Sequence, residues 1–328
     1  MVKFGIIGTN WITEKFLDGA AQVEDFQLTA VYSRTEEKAR TFALKHKAEH
    51  TYTDLQAFAS SDTFDAVYIA SPNSLHAEQA IACMEHGKHV MVEKSIASNS
   101  REVERMIETA KRNGVLLMEA LKTVFLPNFQ TVQDNLEKIG PVRRYFASYC
   151  QYSSRYDAYK EGTVLNAFNP AFSNGSLMDI GVYCIYPMVT LFGGPERVTA
   201  SSLMLESGVD GQGSAIFDYP EFNGAVMYSK IADSYLPSEI QGEKGSILVD
   251  NINTPTRVEI KYKDGTNEDV SRPQVENGMF YEAEAFVELI KQGKTESDIC
   301  TLERSLETSR VLEEIRKQSG VHFPADER

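Results

Sequence analysis

A regular alternation of short apolar segments and helical patterns fills the first third of the chain and restricts the fold more than any other feature. The apolar segments predict strands, which we place at residues 3–7, 28–32, 65–70, 89–92 and 115–118. Helical patterns separate them, at residues 11–22, 35–46, 54–59, 74–86 and 100–113. Several strands are apolar at every position, as is typical of a parallel sheet covered on both faces. The alternation predicts a doubly wound α/β fold with a parallel sheet.

After about residue 120 the pattern changes to successive short strands. Partial period-two alternation between Gly, Pro and Asp-Gly turns predicts an open, mostly antiparallel sheet over residues 142–262. Further helical patterns lie at residues 121–138, 176–192, 279–291 and 302–318. Because 328 residues suffice for two domains, we predict an N-terminal domain over 1–120 and a C-terminal α/β domain over 121–328. The last helix packs either within the second domain or on the first.

The charge balance argues against two classes of partner. The chain has 33 Lys plus Arg against 47 Asp plus Glu, a formal net charge of −14. Such a field repels nucleic acid and anionic membranes, so we expect neither as a partner. We find no apolar run of the roughly 20 residues that span a membrane, and no secretory signal at the N-terminus.

The four cysteines are far apart and form no CxxC pair. They are Cys83, Cys150, Cys184 and Cys300. This spacing does not match the usual zinc motifs or a disulfide framework. We therefore expect no metal site, and reduced thiols in a cytoplasmic protein.

The segment Gly8-Thr9-Asn10-Trp11-Ile12-Thr13 follows the first strand and opens the first helix. A dinucleotide fold needs a tight turn here, with backbone close to the pyrophosphate at the helix N-terminus. Of the GxGxxG fingerprint only the first glycine is in register. Asn10 takes the second position, where we expect it to tolerate a left-handed backbone, and Thr13 takes the third. The segment predicts a nucleotide site, with an ordinary strand–helix turn as the alternative.

The end of the second strand distinguishes the two nicotinamide cofactors. An NAD site usually has an acid here to bind the ribose hydroxyls, whereas an NADP site has Arg and small hydroxyl residues. This chain has Ser33 and Arg34, and Lys38 lies one helical turn further on. We therefore predict NADP as the cofactor, with NAD as a second possibility. The alternative is a solvated Arg at a helix start.

Two later strand ends also carry polar residues. Ser71-Pro72-Asn73-Ser74-Leu75-His76 follows one strand and Glu93-Lys94-Ser95 ends the next. Loops at the carboxyl ends of parallel strands face the ligand crevice. We predict that Asn73 and His76 line the site, and that Lys94 donates to a substrate hydroxyl or a ribose. A structural His76 and a surface Lys94 are the alternatives.

The segment 174–183, Asn-Gly-Ser-Leu-Met-Asp-Ile-Gly-Val-Tyr, is the most informative part of the second half. Ser176 and Asp179 resemble a capping box, with Asp in place of Glu. Asp179 and Tyr183 are four residues apart and share one helical face. A carboxylate and a phenol suit a polyhydroxy ligand. From spacing alone, a capped helix with a half-buried Tyr is the simpler interpretation.

Taken in order, these segments resemble the Gfo/Idh/MocA oxidoreductases, the family of glucose–fructose oxidoreductase, inositol dehydrogenase and MocA-like proteins, over essentially the whole chain. The resemblance rests on Gly5-Ile-Ile-Gly8-Thr, Ser71-Pro72-Asn73-Ser-Leu-His76, Glu93-Lys94, Leu117-Met118-Glu119-Ala120 and Gly175-Ser-Leu-Met-Asp179-Ile-Gly181-Val-Tyr183. Leu-Met-Glu-Ala and Tyr183 are most similar to the branch of dimeric dihydrodiol dehydrogenase and D-xylose:NADP dehydrogenase. Two positions depart from the family pattern: Ser95 stands where Pro is usual, and Asn10 replaces the second glycine.

The resemblance implies an N-terminal Rossmann domain for NAD(P) and a C-terminal domain for catalysis and oligomerisation. It implies that the cofactor lies across Gly8–Ile12, Ser33–Arg34, Ser71–Asn73 and Glu93–Lys94. It also implies that Lys94 and Tyr183 flank the reacting carbon, with Asp179 nearby. The expected reaction is hydride transfer between NADP(H) and a hydroxyl or carbonyl of a sugar, polyol or related diol.

The chemistry assigns each of the three catalytic residues a role. Tyr183 exchanges the hydroxyl proton, Lys94 favours the phenolate and orients the hydroxyl, and Asp179 binds a second hydroxyl. Two other functions stay open: a non-catalytic NADP-binding sensor, and glycoside cleavage through transient oxidation. We also expect a homodimer, or a tetramer of dimers, formed by a sheet face that carries Tyr145, Tyr149 and Met227.

Overall fold

The computed structural model describes residues 1–327, and these form two compact units. The first unit comprises Met1–Lys122 and Val275–Ser305. The second comprises Thr123–Gln274 and the chain from Leu306 onward. The chain thus leaves the first unit at Lys122 and returns to it at Val275 for about thirty residues.

The first unit contains a six-stranded parallel sheet. Its strands are β1 (Val2–Ile7), β2 (Phe26–Tyr32), β3 (His50–Tyr52), β4 (Ala66–Ile69), β5 (His89–Glu93) and β6 (Leu117–Ala120). Their order in the sheet is β3-β2-β1-β4-β5-β6, with parallel pairing throughout. This confirms the predicted doubly wound parallel sheet. The short edge strand β3 was not predicted, because three residues carry too little periodicity to register.

Helices connect these strands and cover the sheet. They are α1 (Trp11–Ala20), α2 (Glu36–His46), α3 (Leu55–Ala59), α4 (Asn73–Glu85) and α5 (Ser100–Asn113). The returning segment adds α9 (Met279–Lys291), which packs on α1. Gly19 permits this close packing, because a β-carbon there would lie 2.8 Å from the Phe280 nitrogen. The strand order reverses between β1 and β4, and in such sheets ligands bind at the carboxyl ends of the strands beside this point.

The second unit contains an eight-stranded sheet. Its strands are β7 (Val142–Cys150), β8 (Arg197–Met204), β9 (Asp210–Asp218), β10 (Asn223–Ser229), β11 (Ser238–Gly242), β12 (Gly245–Val249), β13 (Val258–Tyr262) and β14 (Asn267–Asp269). Their order is β14-β13-β12-β11-β7-β10-β9-β8, and every pair is antiparallel except β7 with β10. The predicted mostly antiparallel second sheet is therefore confirmed.

The helices of the second unit are α6 (Pro127–Asn135), α7 (Ser154–Lys160), α8 (Val182–Phe192) and most of α10 (Leu302–Ser319). A five-residue π-helical turn, Leu177–Gly181, leads directly into α8. Such turns are rare in proteins as a whole, but where they occur they are often at functional sites. The helix predicted at 121–138 is not continuous. Pro127 starts the α-helix α6, and a 3₁₀ turn lies on each side of it.

The two faces of the second sheet differ in their cover. Helix α8 packs on one face, where Tyr145 is 1% exposed and its hydroxyl donates to the Cys184 carbonyl at 2.8 Å. Tyr149 lies on the same face and packs against Tyr183 of α8. The expectation that Tyr145 and Tyr149 share an uncovered face with Met227 is therefore wrong, because the register pairs Met227 with Ser148 and so places it on the opposite face. The other face exposes Met227 at 41% and Ile216 at 47%.

One described segment, Pro170–Phe192, has the length and hydropathy of a membrane span, contrary to the expectation that no apolar run is long enough. Of its most apolar window, 78% is buried inside the protein. We interpret it as a core helix, because it packs on β7 and β10.

Candidate active site

The turn between β1 and α1 is built by Gly8 and Asn10. Gly8 has a φ of +104°, and a β-carbon there would lie 2.7 Å from the Ala70 carbonyl oxygen. Asn10 is extended, with a φ of −110°. Its Oδ1 accepts from the Ile12 and Thr13 N–H groups at 3.0 and 3.2 Å, and its Nδ2 donates to the Ala70 oxygen at 2.7 Å. The expected left-handed Asn10 is wrong, because an N-cap residue needs an extended backbone.

This turn joins the loops after β1 and β4 at the point where the strand order reverses. The Thr13 hydroxyl, in the third fingerprint position, donates to the Gly8 carbonyl at 2.9 Å and ties the turn together. The backbone of Gly8 and Thr9 lies just ahead of the N-terminus of α1, a helix of ten residues. Trp11, the first residue of this helix, is 58% exposed. The residues present fit a dinucleotide pyrophosphate: only glycine fits at position 8, and the helix N-terminus favours negative charge.

The end of β2 presents two cationic side chains to solvent. Ser33 is buried and its N–H donates to the Tyr52 carbonyl at 3.1 Å, which fixes the strand end. Arg34 and Lys38 are exposed, and Lys38 lies in the first turn of α2. Guanidinium and ammonium groups at this position suit the additional phosphate of NADP.

His76 joins two loops of the first unit from a fully buried position. Its Nε2 lies 2.8 Å from the Ser71 carbonyl oxygen and its Nδ1 lies 3.0 Å from that of Ser95. Burial lowers the pKa of the imidazole to about 4, so the ring is neutral near pH 7 and one nitrogen at a time donates. Between the two loops, Pro72 and the buried Asn73 begin α4.

Lys94 is half-buried at the end of β5, and the peptide that joins it to Ser95 is cis. Glu93 is 7% exposed and its Oε1 accepts from the Tyr68 hydroxyl at 2.5 Å. Glu119 is 2% exposed and its Oε1 accepts from the Ile96 N–H at 3.0 Å. Burial raises the pKa of both carboxyls, that of Glu119 to about 7. The loop that carries Lys94 is therefore held from both sides.

A third buried acid lies in the same unit, on α9. Glu282 is fully buried, and neither of its carboxylate oxygens has a hydrogen-bond partner among residues 1–327. Burial and the nearby Glu93 raise the pKa of this carboxyl well above its usual range, while Lys122 opposes the shift. Sequence reasoning missed Glu282, which occupies an ordinary position in an amphipathic helical pattern.

In the second unit, Asp179 lies in the π-helical turn and Tyr183 in the first turn of α8; both are half-buried. The expected capping box is wrong, because Ser176 has helical backbone angles and makes no cap. Instead the buried Asp210 of β9 accepts from the Leu177 N–H at 2.7 Å. The ring of Tyr183 packs edge-on against that of Tyr149, with centroids 5.8 Å apart.

The partner of Asp179 is Lys230, which the sequence analysis did not single out. The Lys230 ammonium forms an ion pair with Asp179 Oδ2, and its side chain is 4% exposed. The available signal was a lysine at the end of the apolar strand β10. Lysine is rarely buried unless it is paired, so this position required a nearby acid.

Comparison with known proteins places this geometry in a family. Residues 2–121 match the oxidoreductase family with an NAD-binding Rossmann fold, and residues 129–248 match the GFO/IDH/MocA C-terminal domain. The chain is 61% identical to scyllo-inositol 2-dehydrogenase (NADP(+)) IolU of Bacillus subtilis, with all of both chains covered. It is 30% identical to trans-1,2-dihydrobenzene-1,2-diol dehydrogenase of Xenopus tropicalis, over 98% of this chain and 99% of that one.

A solved structure has the same fold across the whole chain. It is KijD10, a 3-ketoreductase of Actinomadura kijaniata in complex with NADP and TDP-benzene, with a TM-score of 0.86 at 23% identity, over 98% of this chain and 99% of that one. The family suggested by the motifs is confirmed, and both types of dehydrogenase found here, for inositol and for dihydrodiols, were named in that resemblance. The chain belongs to the Gfo/Idh/MocA family of NAD(P)-dependent oxidoreductases.

Proposed function

We propose that the protein is an NADP-dependent dehydrogenase that transfers a hydride between NADP(H) and a hydroxyl or carbonyl of a sugar or cyclic polyol. The observation that carries this proposal is the segment with Asp179 and Tyr183, where a carboxylate paired to a buried lysine lies four residues from a phenol. A carboxylate accepts hydrogen bonds from hydroxyl groups, and a phenol exchanges a proton with one. The relative at 61% identity is named for oxidation of a cyclic polyol with NADP⁺, which supports this substrate class.

The first unit has the residues that would hold the cofactor. Backbone at Gly8, Thr9, Asn10, Trp11 and Ile12 would bind the pyrophosphate, and Ser33, Arg34 and Lys38 the additional phosphate. Ser71, Pro72, Asn73, Glu93 and Lys94 would line the part that carries the nicotinamide. His76 is too deeply buried to reach a ligand and would act by fixing the carbonyls of Ser71 and Ser95.

The proton chemistry is assigned to three side chains. In oxidation, the Tyr183 phenolate takes the hydroxyl proton while the C–H bond breaks. Lys94 favours the phenolate by its charge and donates to the reacting oxygen. Asp179 accepts from a neighbouring hydroxyl and orients the ring. NADP⁺, when bound, would supply the hydride acceptor, so the hydride and the hydroxyl proton would leave the alcohol by separate routes.

The test is NADP⁺ reduction over a panel of inositols, aldoses and dihydrodiols, with scyllo-inositol first. Tyr183→Phe should lower the turnover number by about 10²–10⁴ with NADP⁺ binding retained, which is the usual contribution of a positioned general acid–base. Lys94→Ala should have a comparable effect, and the double variant should lose less than the product of the two. Tyr235→Phe is the matched control, because this tyrosine is 96% exposed.

Three results would contradict the proposal in different ways. A wild-type rate for Tyr183→Phe would remove Tyr183 from the reaction and transfer proton exchange to Lys94. Cofactor binding without turnover of any panel member would favour the sensor. Release of an aglycone from a glycoside without net NADPH formation would favour redox-assisted cleavage.

We further propose a homodimer, or a tetramer of dimers, in the cytoplasm. The support is the uncovered face of the second sheet, where Met227 and Ile216 are exposed and Phe146 is half-buried. Ile216 pairs with Ala225, which pairs with Phe146, so the apolar side chains run across three adjacent strands. A continuous apolar face of this kind is typical of a protein–protein interface. We assign cofactor binding to residues 1–120 and catalysis with oligomerisation to 121–328.

A further inference from the structure

Lys230 is a buried cation that the proposed reaction does not use. It follows β10 directly, and its ammonium pairs with Asp179 Oδ2 from a position where only 4% of the side chain is exposed. Desolvating an ammonium is costly, so a lysine persists there only when fixed partners compensate its charge. The structure supplies such partners on several sides.

A second acid and an aromatic ring lie near the same ammonium. Asp210 is fully buried; burial raises its pKa to about 6, while hydrogen bonds from backbone N–H groups and the charge of Lys230 oppose that rise. The centre of the Phe168 ring lies 5.8 Å from Lys230 Nζ, and this ring is also fully buried. The ammonium is therefore paired with Asp179, lies near the face of a buried ring, and is close enough to Asp210 to lower the pKa of that carboxyl.

The backbone of Lys230 is held as firmly as its side chain. Its N–H donates to the Gly211 carbonyl at 3.0 Å, and its carbonyl accepts from the Ser153 N–H at 2.9 Å. Through Asp210, which accepts from Leu177 N–H, the same cluster also fixes the start of the π-helical turn. The Asp179 carboxylate is thus held by Lys230, which follows β10, and the start of the turn that carries it is anchored by Asp210 of β9.

We propose that Lys230 is a positioning residue of this enzyme, whose ion pair fixes the Asp179 carboxylate in the orientation that binds a substrate hydroxyl. This rests on the proposed function, in which Asp179 contacts the polyol. The Asp179 side chain is 28% exposed while that of Lys230 is 4% exposed, so the acid meets the ligand and the lysine acts through it. The inference identifies a determinant of polyol affinity that is 51 residues from Asp179 in the sequence.

The experiment compares Lys230→Met, Asp179→Asn and the double variant on the polyol that the wild type oxidises fastest. Lys230→Met should raise KM for the polyol about ten- to a hundredfold, as for loss of a charge-assisted contact, with a smaller fall in kcat. The Kd for NADP⁺, from a fluorescence titration, should not change. The double variant should have the KM of Asp179→Asn alone, because both changes remove one interaction. Lys230→Arg should restore part of the affinity, and Lys261→Met, an exposed lysine of the same sheet, should behave as wild type.

The outcomes separate this inference from the function on which it rests. A wild-type KM for Lys230→Met, together with a raised KM for Asp179→Asn, overturns the role of Lys230 alone. Independent effects that multiply in the double variant overturn it too. A wild-type KM for Asp179→Asn refutes the substrate-binding role of Asp179, and both proposals fall together. If Lys230→Met does not fold, the double variant removes both charges of the ion pair, and a KM above that of Asp179→Asn overturns the inference.

Discussion

Replacing Glu119 by Gln should remove a pH-dependent loss of stability from the first unit. Glu119 is 2% exposed and accepts a hydrogen bond from the Ile96 N–H. Burial raises the pKa of its carboxyl from 4.5 to about 7, although hydrogen bonds from Ser305 and Ile96 oppose this. A carboxyl that binds its proton more tightly in the folded state stabilises the fold at low pH, and this stabilisation is lost as the pH rises through the folded pKa.

The size of the effect follows from the two pKa values. Each pH unit between them lowers the free energy of unfolding by about 1.4 kcal/mol. With a folded pKa of about 7 against 4.5, integration gives a loss of about 2.5 kcal/mol between pH 5 and pH 8. The glutamine amide of the variant keeps an oxygen for the Ile96 N–H and does not titrate. The variant should therefore lose about 2.5 kcal/mol less stability than the wild type over this range.

Urea unfolding at pH 5 and pH 8 measures this difference. The chain has a single tryptophan, Trp11, whose position in α1 makes its fluorescence a probe of the first unit. Glu108→Gln is the matched control, since Glu108 is exposed on α5 and its variant should follow the wild-type pH profile. If Glu119→Gln and the wild type lose equal stability between the two pH values, Glu119 is not the titrating group and the reasoning is refuted.

Arg34→Asp should weaken NADP⁺ binding about ten- to a hundredfold and change NAD⁺ binding little, because a charge-assisted phosphate contact is lost. Calorimetric titration measures both affinities, and equal affinities of the wild type for the two cofactors would contradict the prediction. Gly175→Ala should destabilise the second unit by roughly 1–3 kcal/mol in thermal unfolding, because its β-carbon would collide with the Asp210 carboxylate at a φ of +145°. Gly162→Ala, at a φ of +89° with open space around it, should cost less. Light scattering at micromolar concentration should give a dimer or tetramer, and Met227→Lys should shift it toward monomer; a monomeric wild type would remove the sheet face as an interface.

The sequence by itself determined the architecture of the first unit. Its central strands are buried on both faces, and α4 and α5 end beside Gly87 and Gly114, so local periodicity and turn chemistry carry much of the signal. The polar residues at strand ends were also predictable, because the carboxyl ends of parallel strands lie at one edge of the sheet whatever the packing. Family motifs then suggested catalytic roles for Lys94 and Tyr183, which spacing alone left open, and these roles stay predictions.

Only the tertiary structure decided how the polar side chains are partnered. Asn10 caps a helix because the Ala70 carbonyl lies within reach of its amide, and His76 is buried because two loops close over it. Asp179 pairs with the lysine that follows β10, and the helix that it was expected to cap is capped by Asp210 from β9. These contacts join residues tens of positions apart, and their strength comes from burial. No local pattern encodes them, because strand register and desolvation exist only once the sheet has formed.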